Sequence, residues 1–224
     1  MPKLEAFPRP AVAVDLALLT VDDPVSTPAL RVFIRDLNGE HHLLPGGFIR
    51  ERSTIAQTVD WILEQKVGLS LPRGVTPRLL RVFDAPDRDD RTWAMSIAHS
   101  ICLPTGMTQR VAGDWVAPQE VGKLRFDHNN IVDAAVAELR ERYEFRGRSE
   151  DLISPDPDGF FGSEAFTLHQ LRRVHEAVVG MPMHKDNFAK RMTPLLDPVL
   201  HRDGTPVLAQ NLRGRPAALY RRRA

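Results

Sequence analysis

The sequence predicts an α/β protein in two parts, a mixed sheet with helices packed on it, followed by a small basic domain of helices and short strands. Three observations carry this. Runs rich in β-branched and apolar residues alternate with helical periodicity over residues 1–146. A stretch rich in Pro, Gly, Ser and Asp at residues 146–165, "RGRSEDLISPDPDGFFGSEA", lacks apolar periodicity and is expected to be an exposed linker, which divides the parts over residues 147–164. Finally, the charge changes sign: residues 165–224 hold 11 Lys and Arg against 4 Asp and Glu, whereas the first 164 hold 19 against 25. The two parts therefore suit different partners.

With 42% hydrophobic and 26% charged residues, a chain of 224 residues has enough apolar side chain for an ordinary core. No apolar run approaches the roughly 20 residues that span a bilayer, and "MPKLEAFPRPAV" lacks the layout of a secretory signal, so a cytoplasmic location is expected. The single cysteine, Cys102, excludes an internal disulfide and a multi-thiolate zinc site, and it reads as a buried strand residue.

In the first part, "AVAVDLALLTV" and "ALRVFIRDL" read as neighbouring strands, and "RLLRVFDA" and "TWAMSIAHSICL" as two more around the charged turn "PDRDDR". Ser53 or Thr54 caps a helix whose Ile55, Val59, Ile62, Leu63 and Val67 recur at helical spacing and which ends at Gly68. Ile131, Ala135, Val136 and Leu139 form the apolar face of a second helix, with Asp127 as a candidate N-cap.

In the second part, "FTLHQLRRVHEAVVG" places Leu168, Leu171, Val174, His175 and Val178 on one helical face, with Thr167 as cap and Gly180 closing the helix. The turn "MPMH" leads into "KDNFAKRM", a second helix that carries Lys185, Asn187, Lys190 and Arg191 around Phe188. This pattern fits a helix-turn-helix, whose second helix enters the major groove of DNA. The closing "GTPVLAQNLRGRPAALYRRR" reads as two short extended pieces around Gly214, a basic wing bearing Arg213, Arg215, Tyr220 and Arg221; the bland reading of its "RRR" end is a disordered basic tail. His169, His175 and His184 have no metal-ligand spacing and read as surface or core histidines.

The stretch "LPGGFIRERSTIAQTVDWILEQKVGL" resembles the Nudix box, G-x5-E-x7-R-E-U-x-E-E-x-G-U, in which U is bulky and apolar and the glutamates hold magnesium against a diphosphate. Anchored on Gly47, Gly68 and Leu69, the spacing fits without a gap, but the box positions fall on Ser53, Trp61, Ile62, Gln65 and Lys66. A lone Glu64, or Glu51 in the loop, cannot assemble the magnesium cluster, so no catalytic residue, metal ligand or cofactor is assigned. "RLLRVFDAPDRDDRTWAMSIAHSICLP" resembles the cavity-lining segment of Nudix ADP-ribose pyrophosphatases.

The order "FTLHQL", "DNFAKRM", "GRPAALYR" closely resembles the winged-helix domain of the Nudix-related transcriptional regulator (NrtR) family, and the resemblance covers essentially the whole chain. It implies a Nudix fold followed by a winged helix-turn-helix, and a repressor, often of NAD-biosynthesis genes, with operator DNA as partner and ADP-ribose as effector; a homodimer is expected because a helix-turn-helix usually reads two half-sites. Arg50 is the first candidate for the effector diphosphate, because a guanidinium forks onto phosphate oxygens. Phe48, Phe83, Arg88 and Arg91 complete the candidate effector set, although Arg88 and Arg91 also read as a solvated turn paired locally with Asp87, Asp89 and Asp90, and Phe83 as core. Two other readings stay open: a Nudix hydrolase of ADP-ribose-type substrates with an accessory basic domain, and a DNA-binding protein whose Nudix domain is only a dimerisation scaffold.

Overall fold

A computed structural model describes residues 7–23, 27–37, 41–145, 154–209 and 216–223. The chain divides into two compact units, one of residues 1–19, 32–101 and 111–136, the other of residues 20–31, 102–110 and 137–224.

The strands β1 (Ala11–Asp22), β2 (Ala29–Leu37), β3 (His41–Leu43) and β4 (Gly46–Phe48) come first. Helix α1 (Ile55–Ile62) follows and runs directly into a single π-helical turn, Leu63–Val67. Strands β5 (Arg78–Phe83), β6 (Ala94–Cys102) and β7 (Asp114–Val116) precede helix α2 (His128–Tyr143). The sheet runs β3-β2-β1-β6-β5, with β4 added to β1 and β7 to β2. Residues 13–21 of β1 are buried without alternation, as in a strand covered on both faces. The edge strand β5 is instead largely exposed.

Thr54, not Ser53, caps α1. Its hydroxyl accepts the Gln57 amide while the Gln57 side chain accepts the Thr54 amide, a reciprocal capping box. Val59, Ile62 and Leu63 are buried, and Gly68 closes the turn in the left-handed region at φ 70°, where Leu69 N–H returns to the Leu63 carbonyl. Asp127, expected to cap α2, instead gives both carboxylate oxygens to Arg88.

The second unit carries β8 (Phe166–Thr167), α3 (Leu168–Val179), α4 (Lys185–Met192), β9 (Leu196–Pro198) and β10 (Leu219–Arg222), with the three strands ordered β8-β10-β9. Thr167 and Gln170 form a second capping box, and Gly180 ends α3 at φ 78°. Leu171, Val174, His175, Val178, Phe188 and Met192 are its core. The buried Glu176 ties the turn between α3 and α4 by accepting the Met183 amide at 2.8 Å and ion-pairing with Arg172 and Arg173.

Two expectations are corrected. The described part of the expected exposed linker is packed: Asp156, Phe160 and Phe161 are buried, and the Asp156 carboxylate accepts the Phe160 and Phe161 amides at 2.9 and 3.1 Å. Low periodicity reflects a turn organised by one carboxylate, not an open chain. Nor is "RRR" a loose tail: Arg221 and Arg222 lie in β10, Arg222 donates to the Asp156 carbonyl, and Arg223 pairs with Asp197 at 3.2 Å.

Candidate functional site

A cavity of about 400 Å³ opens where β1, β4, the end of α1 and the start of α2 converge. Strand register places Asp15 of β1 against Gly46 of β4 and Val14 against Gly47. Gly46 is required by close approach, since a Cβ there would overlap Asp15 Oδ1, and Gly47 is closely packed, a Cβ there lying 3.2 Å from the Trp61 ring and 3.4 Å from Lys66 Nζ. The glycine pair thus brings a carboxylate, an indole and an ammonium against one short strand.

The floor is a buried ionic network. Arg88, whose side chain is 3% exposed, forks onto Asp127 at 2.6 and 3.0 Å and reaches Asp15 at 3.2 Å. His128 Nδ1 accepts the Leu44 amide at 3.0 Å, so the ring proton lies on Nε2, 3.5 Å from Asp15 Oδ1. Burial by itself raises the Asp15 carboxyl, but His128 and Arg88 outweigh it and hold the group below the usual carboxylate range.

Around the rim, Arg91 forks onto Asp89 at 2.8 and 2.9 Å and lies 4.7 Å from the Phe126 ring centroid, while Arg125 reaches Asp90 at 3.3 Å. Lys66 donates to the Gly46 carbonyl. Arg50 stacks 4.1 Å from the Trp61 ring centroid, and Lys66 sits 5.4 Å from the same ring. Five cations (Arg35, Lys66, Arg88, Arg91 and Arg125) therefore line a cavity containing two carboxylates, Asp15 and Asp89, both already paired with arginines. Among the described residues, neither Arg35 nor Lys66 meets a carboxylate within ion-pair distance. Phe48, 41% exposed, Trp61 and Phe126 add ring faces suited to a base.

Of the residues expected to hold an effector, the structure brings Phe48, Arg88 and Arg91 to this cavity and leaves two out. Arg50 is exposed on Trp61 and lines no part of it. Phe83 is buried and lines a second, more open cavity of about 810 Å³, with the Arg81 guanidinium 4.8 Å from its ring. Arg88 is not a solvated turn residue paired locally: its partners are 73 and 39 positions away, a pairing that only the fold creates. Arg91 does keep the local Asp89 pair. Sequence reasoning missed Asp15, Arg35, Arg125, Phe126 and His128, which carry no motif signal. Lys66 was visible as a departure from the Nudix box but was not read as a ligand contact.

The box positions do not fit the magnesium that the fold family uses. Ile62 is fully buried apolar core, Lys66 is a cation, and Ser53 and Gln65 are neutral. Among the described residues, no three His, Cys, Asp or Glu side chains converge on a metal site.

In the second unit, α4 turns Phe188 and Met192 inward and leaves Lys185, Asn187, Lys190 and Arg191 exposed on its outer face. The Arg191 guanidinium lies 5.1 Å from the Phe145 ring. Arg221 is exposed and Tyr220 half-buried on β10, whereas Arg213 and Arg215 lie outside the described residues. Among the described residues, no helix is long and apolar enough to cross a membrane.

The family model for the NrtR DNA-binding winged helix domain matches residues 163–222. A protein of Acinetobacter baylyi, the ADPR responsive transcriptional repressor NtrR, is 24% identical over 225 residues, covering 96% of this chain and 83% of its own. NrtR of Shewanella oneidensis, solved as a complex with a 27mer DNA, aligns with a TM-score of 0.70 at 27% identity over 95% of this chain and 93% of that one. A MutT/nudix family protein from Enterococcus faecalis shares the fold, with a TM-score of 0.67 at 18% identity over 97% and 90% of the two chains. With a Nudix fold in its first part and a winged helix in its second, the chain is similar over nearly its whole length to NrtR of Shewanella oneidensis, and residues 163–222 match the NrtR DNA-binding winged helix domain.

Proposed function

We propose that this protein is a DNA-binding transcriptional repressor that senses ADP-ribose in its 400 Å³ cavity and does not hydrolyse it. The observation that carries the reading is the cavity's chemistry: paired carboxylates, surplus cations and three rings surround a space suited to a nucleoside diphosphate, while the positions that would hold a catalytic metal bear Ile62, Gln65 and Lys66. The likeness to an ADPR responsive repressor supports the choice of effector. The exposed basic face of α4, in a domain like that of a regulator solved on DNA, supports the output.

In this reading residues 1–146 bind effector and residues 165–224 bind operator as a cytoplasmic homodimer, since a two-fold protein matches a palindromic operator. Lys185, Asn187, Lys190 and Arg191 face phosphates and base edges, and Tyr220 and Arg221, with Arg213 and Arg215, serve the wing. Effector acts by binding one domain arrangement better than the other, because a ligand shifts an equilibrium only through differential affinity. The test is to select DNA from a random pool with the purified protein, then titrate ADP-ribose into the complex while following fluorescence anisotropy. Release at saturating ADP-ribose, with no AMP formed in the presence of Mg²⁺, is the expected result. Steady AMP production, or operator binding indifferent to ADP-ribose, refutes it.

A further inference from the structure

We propose that the Lys66 ammonium stands in the place of the divalent cation of a Nudix site, so that the diphosphate of the ligand is neutralised by a charge the protein carries. This rests on the effector reading above and names how that site works. Four observations support it. Lys66 occupies the second of the paired-glutamate positions in the gap-free spacing from Gly47 to Gly68, so the side chain starts where a metal ligand would. Its ammonium is half-buried against the glycine strand β4, bonded to the Gly46 carbonyl, and a Cβ on Gly47 would lie 3.4 Å from it. One of its three N–H donors is spent on that carbonyl, leaving two for ligand oxygens. Among the described residues it meets no carboxylate, whereas the acids of the cavity, Asp15 and Asp89, are taken by Arg88 and Arg91.

The other box positions close the space to a metal: Ile62 is buried core, and Ser53 and Gln65 offer at most neutral oxygens. A cation held covalently next to Arg35 would also repel a divalent ion, so metal and lysine exclude each other. Burial, together with the Arg35 and Arg50 charges, lowers the Lys66 ammonium below the usual lysine range, and Asp15 acts against them. An anionic ligand relieves that strain, since opposite charge favours the protonated form.

The test is calorimetric titration of ADP-ribose, and separately of inorganic pyrophosphate, into the full chain in excess EDTA and in excess MgCl₂. Wild-type Kd is expected to agree between the two conditions within about twofold. Lys66→Met, which keeps the length of the stem and removes the charge, weakens both ligands by about 10- to 100-fold, the loss expected of a charge-assisted hydrogen bond. Lys66→Arg, retaining the charge, stays within about fivefold of wild type, and adenosine, which lacks phosphate, is bound equally by all three. Thermal melts establish that the variants are folded, and the metal arm needs no variant.

ADP-ribose or pyrophosphate binding that requires Mg²⁺ overturns the inference, as does Lys66→Met binding both ligands like wild type. Pyrophosphate bound in EDTA and lost in Lys66→Met, without ADP-ribose binding, sustains the lysine's role while refuting ADP-ribose as effector.

Discussion

Replacing Arg88 by methionine removes the cation at the floor of the cavity while leaving a stem of similar volume. Asp15, 5% exposed, then loses its guanidinium and keeps the His128 N–H at 3.5 Å, and Asp127 loses its fork of 2.6 and 3.0 Å. Removing one partner of a buried pair costs about 3–5 kcal/mol, mostly because the remaining charge is left in low dielectric. With an m-value of about 2 kcal/mol/M in urea, the unfolding midpoint should fall by about 1.5–2.5 M. All three tryptophans, Trp61, Trp93 and Trp115, lie in the first unit, so their fluorescence reports this unfolding separately from that of the second. The double variant Asp15→Asn, Arg88→Met, which removes the more deeply buried of the two orphaned charges, should recover part of the loss. A loss below about 1 kcal/mol, or a double variant no more stable than Arg88→Met, refutes the assignment of Arg88 as a structural cation.

Three further outcomes are expected. His175 is fully buried, donates from Nε2 to the Pro155 carbonyl at 2.7 Å and leaves Nδ1 without a partner, so burial depresses its pKa from 6.5 to about 4. Because the folded pKa lies below the unfolded one, the contribution is present above pH 6.5 and is lost as pH falls through 4, by about 3 kcal/mol in all. Circular dichroism melts should show this slope, and His175→Gln should flatten it; an unchanged slope assigns the acid sensitivity elsewhere. Gly46→Ala forces the Asp15 carboxylate aside, at a cost of about 1–3 kcal/mol, and an unaltered melting temperature would count against the close approach of β4 to β1. Asn187→Ala or Arg191→Ala should weaken selected DNA by about 1–3 kcal/mol and relax specificity in a repeated selection, whereas an unchanged consensus removes both from the base-reading set.

What the sequence determined by itself is what depends on near neighbours. Runs of β-branched and apolar residues located β1, β2, β5 and β6, helical periodicity located α1, α2 and α3, and the turn followed by basic residues around Phe188 located α4, because burial is written into the composition and repeat of consecutive residues. Capping placed the starts of α1 and α3, since Thr54 with Gln57 and Thr167 with Gln170 are local pairs. Motif spacing displayed the lost glutamates and the order of the two parts. The three-residue strands β3, β4, β7 and β9 escaped, being too short to show alternation. The folding of residues 154–164 escaped as well, because a single buried carboxylate, Asp156, does there what periodic apolar residues do elsewhere.

Only the tertiary structure decided the cavity. Asp15, Arg88 and Asp127 are separated by tens of residues, and no local rule distinguishes a guanidinium that forks onto a distant carboxylate from one in a solvated turn. Tertiary structure likewise moved Arg50 onto Trp61 and Phe83 into a second cavity, and set Lys66 against β4. Charge pairing acts through space at a few ångströms, and which residues come that close is set by strand order and helix packing rather than by position in the chain.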